Sequence, residues 1–201
     1  YTNAQMSNNI ILVCRDLTVE AGGRITADGK GFQGAYTVGN DSAVGHGPGG
    51  GPGGPPTWGG SPGGGYGGKG GRSWCTDSNG ATYGSSNAPV EPGSGGGSNL
   101  GGYGGDGAGA IRITAGESVN VEGTISARGA QNSGGNWRSG AGSGGSIYIT
   151  CRRLDGVWGS ISADGANSTG EGGGGGGGRV AVWRSYHNYL GAATAAGGGS
   201  P

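Results

Sequence analysis

A seven-residue pattern recurs four times along this chain, and each copy leads into glycine. The pattern is Gly, any residue, an apolar residue, Ser or Thr, Ala, any residue, Gly. It stands at Gly23-Arg24-Ile25-Thr26-Ala27-Asp28-Gly29, Gly123-Thr124-Ile125-Ser126-Ala127-Arg128-Gly129 and Gly159-Ser160-Ile161-Ser162-Ala163-Asp164-Gly165. A weaker fourth copy is Gly191-Ala192-Ala193-Thr194-Ala195-Ala196-Gly197. Self-similarity of this kind marks a repeat architecture, in which one unit cannot bury its apolar face without a neighbour.

Upstream of each copy lies a short alternating stretch: Ile11, Val13, Leu17 and Val19; Ile111, Ile113, Val119 and Val121; Ile147, Ile149 and Leu154, then Val157; Val180, Val182 and Leu190. Period-2 alternation rich in β-branched residues predicts half-buried strands, roughly three to a unit of about twenty residues. The expected fold is all-β, a parallel β-helix or solenoid-like set of coils. A β-sandwich with Gly-rich loops fits the strand lengths equally well. One repeat domain over 1–201 is expected, with β units at 9–29, 110–129, 146–165 and 178–197 and Gly-rich excursions at 30–109, 130–145 and 166–177. Ile111, Ile113, Val119, Val121, Ile125 and Ala127 form the expected inward set. The first Gly of each copy suits a corner with positive φ or a close backbone approach.

Glycine makes up 58 of the 201 residues, without the every-third-residue register of a collagen triple helix. The excursions have two open states. Glycine's large ordering entropy favours disorder, whereas bare glycine faces favour packed polyglycine II helices with shared Cα–H···O contacts.

Lys plus Arg and Asp plus Glu are 12 each. No basic stripe exists to capture phosphates, so nucleic acid is not an expected partner. Neutrality favours self-association, because nothing repels a second copy. No apolar run approaches the ~20 residues that span a bilayer. The chain begins at Tyr1 rather than Met, as a processed chain or a fragment would.

Cys14, Cys75 and Cys151 are the disulfide candidates, and their odd number leaves at least one thiol unpaired within the chain. A bridge from Cys75 to Cys14 or Cys151 would close a long loop, where a crosslink gains most. Asn40 and Asn167 open glycosylation sequons, and with the cysteines they point outside the cell.

Few residues carry the spacing of a chemical site. His46 and His187 are isolated, and no paired Cys or His spacing builds a zinc site, so no metal and no cofactor is expected. Gly68-Lys69 lacks the following Ser or Thr of a phosphate loop. Gly101 to Gly107 has a single aspartate where a calcium solenoid repeats it. Asp28 and Asp164 share one repeat position and would be the carboxylates of a glycosidase, but Arg128 holds that position between them. Asp, Arg, Asp is more simply a solvent-facing charge ladder. Trp58, Tyr66, Trp74, Tyr83, Tyr103 and Trp137 lie in the excursions, and Trp183, Tyr186 and Tyr189 near the end. They suit contacts with sugars or proteins, or else they shield glycine bundles from water.

The segment from Gly144-Gly145-Ser146-Ile147-Tyr148-Ile149 through Gly159 to Gly165, then Gly172 to Gly178 and Arg179-Val180-Ala181-Val182, resembles the glycine-rich β-repeats of large secreted or surface proteins. The excursions are similar in style, more weakly, to glycine-rich phage tail-fibre adhesins and glycine-rich antifreeze proteins. The resemblance implies an extracellular or cell-surface structural or adhesive role.

The expected function is therefore a non-enzymatic extracellular structural protein, the subunit of a self-assembling fibre, filament, sheath or surface layer whose partner is itself. The alternative is a secreted adhesin or glycan-binding module that uses the loop aromatics on glycans or cell-surface proteins. A carbohydrate-active enzyme is a distant third. No cap is visible at either end of the repeats, and exposed edges template pairing. Gly197 to Pro201 falls where a further excursion would begin, and polar Tyr1 to Asn9 reads as an arm that adds a strand to a neighbour.

Overall fold

A computed structural model describes residues 9–39, 41–55, 59–133 and 138–200. Among these the chain is all-β, with no helix, and its strands lie parallel in curled sheets. No helix among the described residues is long and apolar enough to cross a membrane.

The first repeat unit supplies β1 (Ile10–Val19) and β2 (Arg24–Thr26). A short antiparallel pair, β3 (Ser42–Ala43) with β4 (Ser98–Asn99), lies within the long excursion. The second unit forms β5 (Ala110–Val121) and β6 (Thr124–Ser126). The third forms β7 (Ser146–Thr150), β8 (Arg153–Gly156) and β9 (Ser160–Ser162). The fourth forms β10 (Arg179–Trp183), β11 (Tyr186–Tyr189) and β12 (Ala192–Thr194).

Every strand pairing between these units is parallel, so the antiparallel sandwich does not describe how they join. β5 organises the larger sheet. β1 runs along its length on one side; on the other, its first half pairs with β7 and then β10, its second half with β8 and then β11. The smaller sheet runs β2, β6, β9, β12. A register shift between Cys14 and Asp16 bends β1, and such a bulge increases local twist and curls a sheet.

The register aligns equivalent residues in columns: Ile10, Ile111, Ile147, Val180; Leu12, Ile113, Ile149, Val182; Leu17, Val119, Leu154, His187; Ile25, Ile125, Ile161, Ala193. These columns are the core. All six residues of the expected inward set are buried in it. Val157, the last residue of the third alternating stretch, is instead exposed in the turn before β9. Ala27, Ala127 and Ala163 are buried where the unit narrows, their carbonyls accepting the N–H of Gly109, Gly145 and Gly178 at the start of the following strand.

The first glycines of the four copies are close-approach positions, not positive-φ corners. A methyl carbon at Gly123, Gly159 or Gly191 would lie 2.1–2.3 Å from a backbone oxygen.

The excursions pack. Gly140 and Ser143 donate to Gly97 and Ser94, Ala141 and Gly144 to Gly173 and Gly176, Gly142 and Gly145 to Ala130 and Ala127. Every third N–H of this segment thus meets the same neighbour, as an extended chain with three residues per turn requires. The same threefold pattern runs through Gly104, Gly105, Gly107 and Ala108, where Gly104 and Gly107 donate to Ala35 and Phe32, and Gly105 and Ala108 to Gly140 and Ser143. Such packing demands glycine: a methyl carbon at Gly140 would stand 1.9 Å from the Pro62 oxygen.

Candidate functional site

The excursion aromatics divide by environment. Trp58 and Trp137 lie outside the described residues. Tyr66 is fully buried, which removes it from the candidate contact residues and fits the other reading, in which an aromatic packs against the glycine bundle. Its hydroxyl lies 2.7 Å from Ser146 Oγ on β7 and donates to Glu91 Oε2, its ring packs 4.8 Å from that of Tyr83, and Arg179 sits over it. The physical reason is the glycine bundle, which leaves a ring-sized space beside the start of β7. Tyr83 is half-buried in the same cluster, its hydroxyl donating to the Pro92 carbonyl and accepting from Ser94 Oγ. Tyr103 is partly exposed but stacks on Tyr36, ring centroids 4.5 Å apart. Trp74 projects into solvent. Near the end of the chain, Tyr189 is buried with its hydroxyl donating to the carbonyls of Gly159 and Ala192, while Trp183 and Tyr186 are exposed.

Burial pushes the Tyr66 hydroxyl up to about 12, and it pushes Tyr83 up as well. A raised folded-state pKa means that the neutral phenol is what the fold stabilises. That contribution is complete below about pH 10, the ordinary phenol value, and is lost as pH rises towards 12. Thermal melts in steps from pH 8 to 12 are expected to show the melting temperature falling across that window. Tyr66→Phe should flatten the fall and cost about 1 kcal/mol at pH 7 through its lost hydrogen bonds. An unchanged slope in the variant would remove Tyr66 as the cause.

All three cysteines are free thiols. Cys14 pairs with Ala115, and Cys151 follows Thr150, which pairs with Thr114, so β5 runs between the two. Two strand spacings, about 9.6 Å, exceed the roughly 7 Å that a disulfide tolerates between Cα atoms. Cys75 donates to the Gly60 carbonyl within the glycine bundle. The expected long-loop bridge gives way to three separate thiols, and burial pushes that of Cys151 up. Of the sequon residues, Asn40 lies outside the described residues. Asn167 is exposed, and its side-chain oxygen accepts the Gly199 N–H.

Asp28, Arg128 and Asp164 form a ladder rather than a cleft. Asp28 accepts the Arg128 N–H and the Ser126 hydroxyl; the Arg128 guanidinium lies 3.7 Å from Asp164, which accepts the Thr194 hydroxyl and the Ala196 N–H. Both carboxylates are occupied in joining one repeat unit to the next. Among the described residues no group of three or more His, Cys, Asp or Glu side chains is placed to hold a metal ion.

An open groove of about 750 Å³ lies at the bend of the larger sheet, and all four units contribute to it, through Arg15, Glu117, Arg152 and Tyr186 among others. Its charges are largely neutralised in place, with Arg152 3.3 Å from Glu117 and Arg153 2.7 Å from Asp155. Hydrogen bonds from Ser118 hold the Asp16 carboxyl below its ordinary value.

The feature that sequence reasoning left without residues is the pair of open edges. In the second and third units the core columns are sealed. In the first, Ile10, Leu12, Leu17 and Ile25 occupy the same columns and are only half-buried. In the fourth, Val180 and Val182 are half-buried, and His187 and Ala193 are exposed. Ile11 and Val13 on β1, and Trp183 on β10, add exposed apolar surface to those edges. The signal was present in the alternation of β1 and β10, but only the pairing order shows that these are the outer strands. No family model, curated protein or solved structure matches this chain.

Proposed function

We propose that this chain is a non-enzymatic structural subunit, a parallel β-solenoid fused to a polyglycine II-like bundle, whose copies assemble into an extracellular fibre, filament, sheath or surface layer. The observation that carries the reading is the contrast within each core column. In the four columns that begin with Ile10, Leu12, Leu17 and Ile25, the side chains are sealed in the two inner units and half-buried or exposed in the two outer ones, although Val19 and Ala27 of the first unit and Tyr189 of the fourth are buried. Among the described residues, each outer strand also has a strand neighbour on one side alone, the arrangement that templates pairing with another chain. Stacking would remove this apolar surface from water at about 25 cal/mol per Å².

The packed bundle fits the same role. Its cohesion comes from backbone hydrogen bonds and close glycine contacts spread over the whole layer, which suits a load-bearing material. The carboxylates that an enzyme would need are spent on inter-unit hydrogen bonds.

Electron microscopy of the protein as isolated, with sedimentation over a hundredfold concentration series, tests the proposal. Regular filaments or sheets that appear above a threshold concentration are expected. Particles that stay single at the highest concentration would overturn it. The glycan-binding alternative would then fall to the bend groove, where exposed Tyr186 stands beside arginine and carboxylate side chains.

A further inference from the structure

We infer that copies join head to tail, the β10–β11–β12 edge of one pairing in parallel with the β1–β2 edge of the next, in the register that already relates the units within one chain. This rests on the structural-subunit reading and specifies its contact. Three observations lead to it.

The first is the regularity of the stack. Ile10, Ile111, Ile147 and Val180 follow one another across four strands, and so do Ile25, Ile125, Ile161 and Ala193. The next member of each column is the first residue of another copy, with Ile10 on Val180 and Ile25 on Ala193.

The second is that the backbone bonds have a direction. Ala27 donates to the Ser126 carbonyl, Ala127 to Ser162 and Ala163 to Thr194. In the opposite sense Thr124 donates to Gly23, Ser160 to Gly123 and Ala192 to Gly159. One edge therefore continues the ladder of the other: Ala195 N–H meets the Thr26 carbonyl of the next copy, and Arg24 N–H of that copy meets the Gly191 carbonyl. A twofold joint of two like edges would run the strands antiparallel and break this series.

The third is side-chain fit in that one register. Outward-facing Val13 is 78% exposed and Trp183 is 55% exposed. Their column is filled by Thr114 and Thr150 within the chain, so the two exposed apolar groups of opposite edges become cross-strand neighbours. Inside, Leu12 meets Val182, and the large Ile25 meets the small Ala193.

The joint has a dimension. Each copy adds four rungs at about 4.8 Å, giving an axial rise of about 19 Å per subunit.

The test has two parts on the intact chain. Cryo-electron microscopy or fibre diffraction of the assembled protein should give a 4.8 Å axial spacing, roughly the strand separation, with a subunit rise of about 19 Å. Val13→Asp and Trp183→Lys, each on an exposed side chain, should each raise the threshold for assembly about tenfold or more, with thermal melts checking that both remain folded. Mixed in equal amounts they should co-assemble, because alternation pairs Asp with Lys at one joint and leaves native Val13 and Trp183 at the other. Filaments of a different rise, closed dimers, or variants that are not rescued by mixing would overturn this joint while leaving self-assembly standing. Absence of any assembly in the unaltered protein would overturn both.

Discussion

Gly142→Ala is expected to unfold the glycine layer. A methyl carbon at Gly142 would stand 1.9 Å from the Asp106 carbonyl oxygen and 2.4 Å from its carbon. Both are backbone atoms, held by their own hydrogen bonds: the Ala130 N–H donates to that same Asp106 oxygen, and the Asp106 carboxylate accepts the Gly34 N–H. No rotamer change relieves the overlap. One segment must move, and its movement breaks bonds to neighbours on its other two sides. Ordinary overpacking costs 1–3 kcal/mol because side chains can give. Here the cost is expected at about 3 kcal/mol or more, a fall of about 10 °C in Tm for a chain of this size. Gly116→Ala is the control. Its methyl would meet nothing nearer than 3.9 Å and its φ is not positive, so the change should fall within about 0.5 kcal/mol of neutral. Thermal melts of the two variants against the unaltered protein decide the matter. Equal melting of all three would mean that the glycine segments are not packed as described.

The second large effect compares two residues of one column. Ile149 and Leu12 share a repeat position, but Ile149 is fully buried and Leu12 half-buried. In dilute, unassembled protein, Ile149→Ala should cost about 2–5 kcal/mol, the transfer term plus the cavity left between β5 and β10. Leu12→Ala should cost about half as much, because part of its surface is already in water and no unit lies beyond it to keep a cavity open. Denaturant unfolding measures both. In the proposed joint, the Leu12 side chain would gain the neighbour that Ile149 already has. The gap between the variants should therefore close when unfolding is followed in the assembled state. Equal costs in dilute protein would show that the first unit is sealed by something other than a second copy.

Much of the strand pattern was legible because it rests on local rules. Alternation around Ile111, Ile113, Val119 and Val121 assigned those residues to one face, and a strand can obey that alternation only by burying the face. The equivalence of Asp28, Arg128 and Asp164 likewise followed from repeat position alone, and the resulting ladder is a direct consequence of parallel register. Which of the two roles Tyr66 takes was not legible, because nothing beside it in Gly-Gly-Gly-Tyr-Gly-Gly sets its environment. Its partners, Glu91 and Ser146, are 25 and 80 residues away. The bridge expected from Cys75 to Cys14 or Cys151 is absent for a similar reason: Cys75 packs against the Gly60 carbonyl inside the glycine bundle, a placement that no local pattern around it sets.

Sequence by itself determined the periodicities of this protein. Alternation set the strands, the seven-residue pattern set their spacing, and the absence of side chains made the excursions able to approach one another. Tertiary structure alone decided the order of the units, the neighbours of each glycine segment, and the position of the outer strands. The reason is that burial is a property of pairs. Leu12 and Ile149 carry the same local instruction, and only the presence or absence of a strand about 4.8 Å further on makes one a core residue and the other an edge.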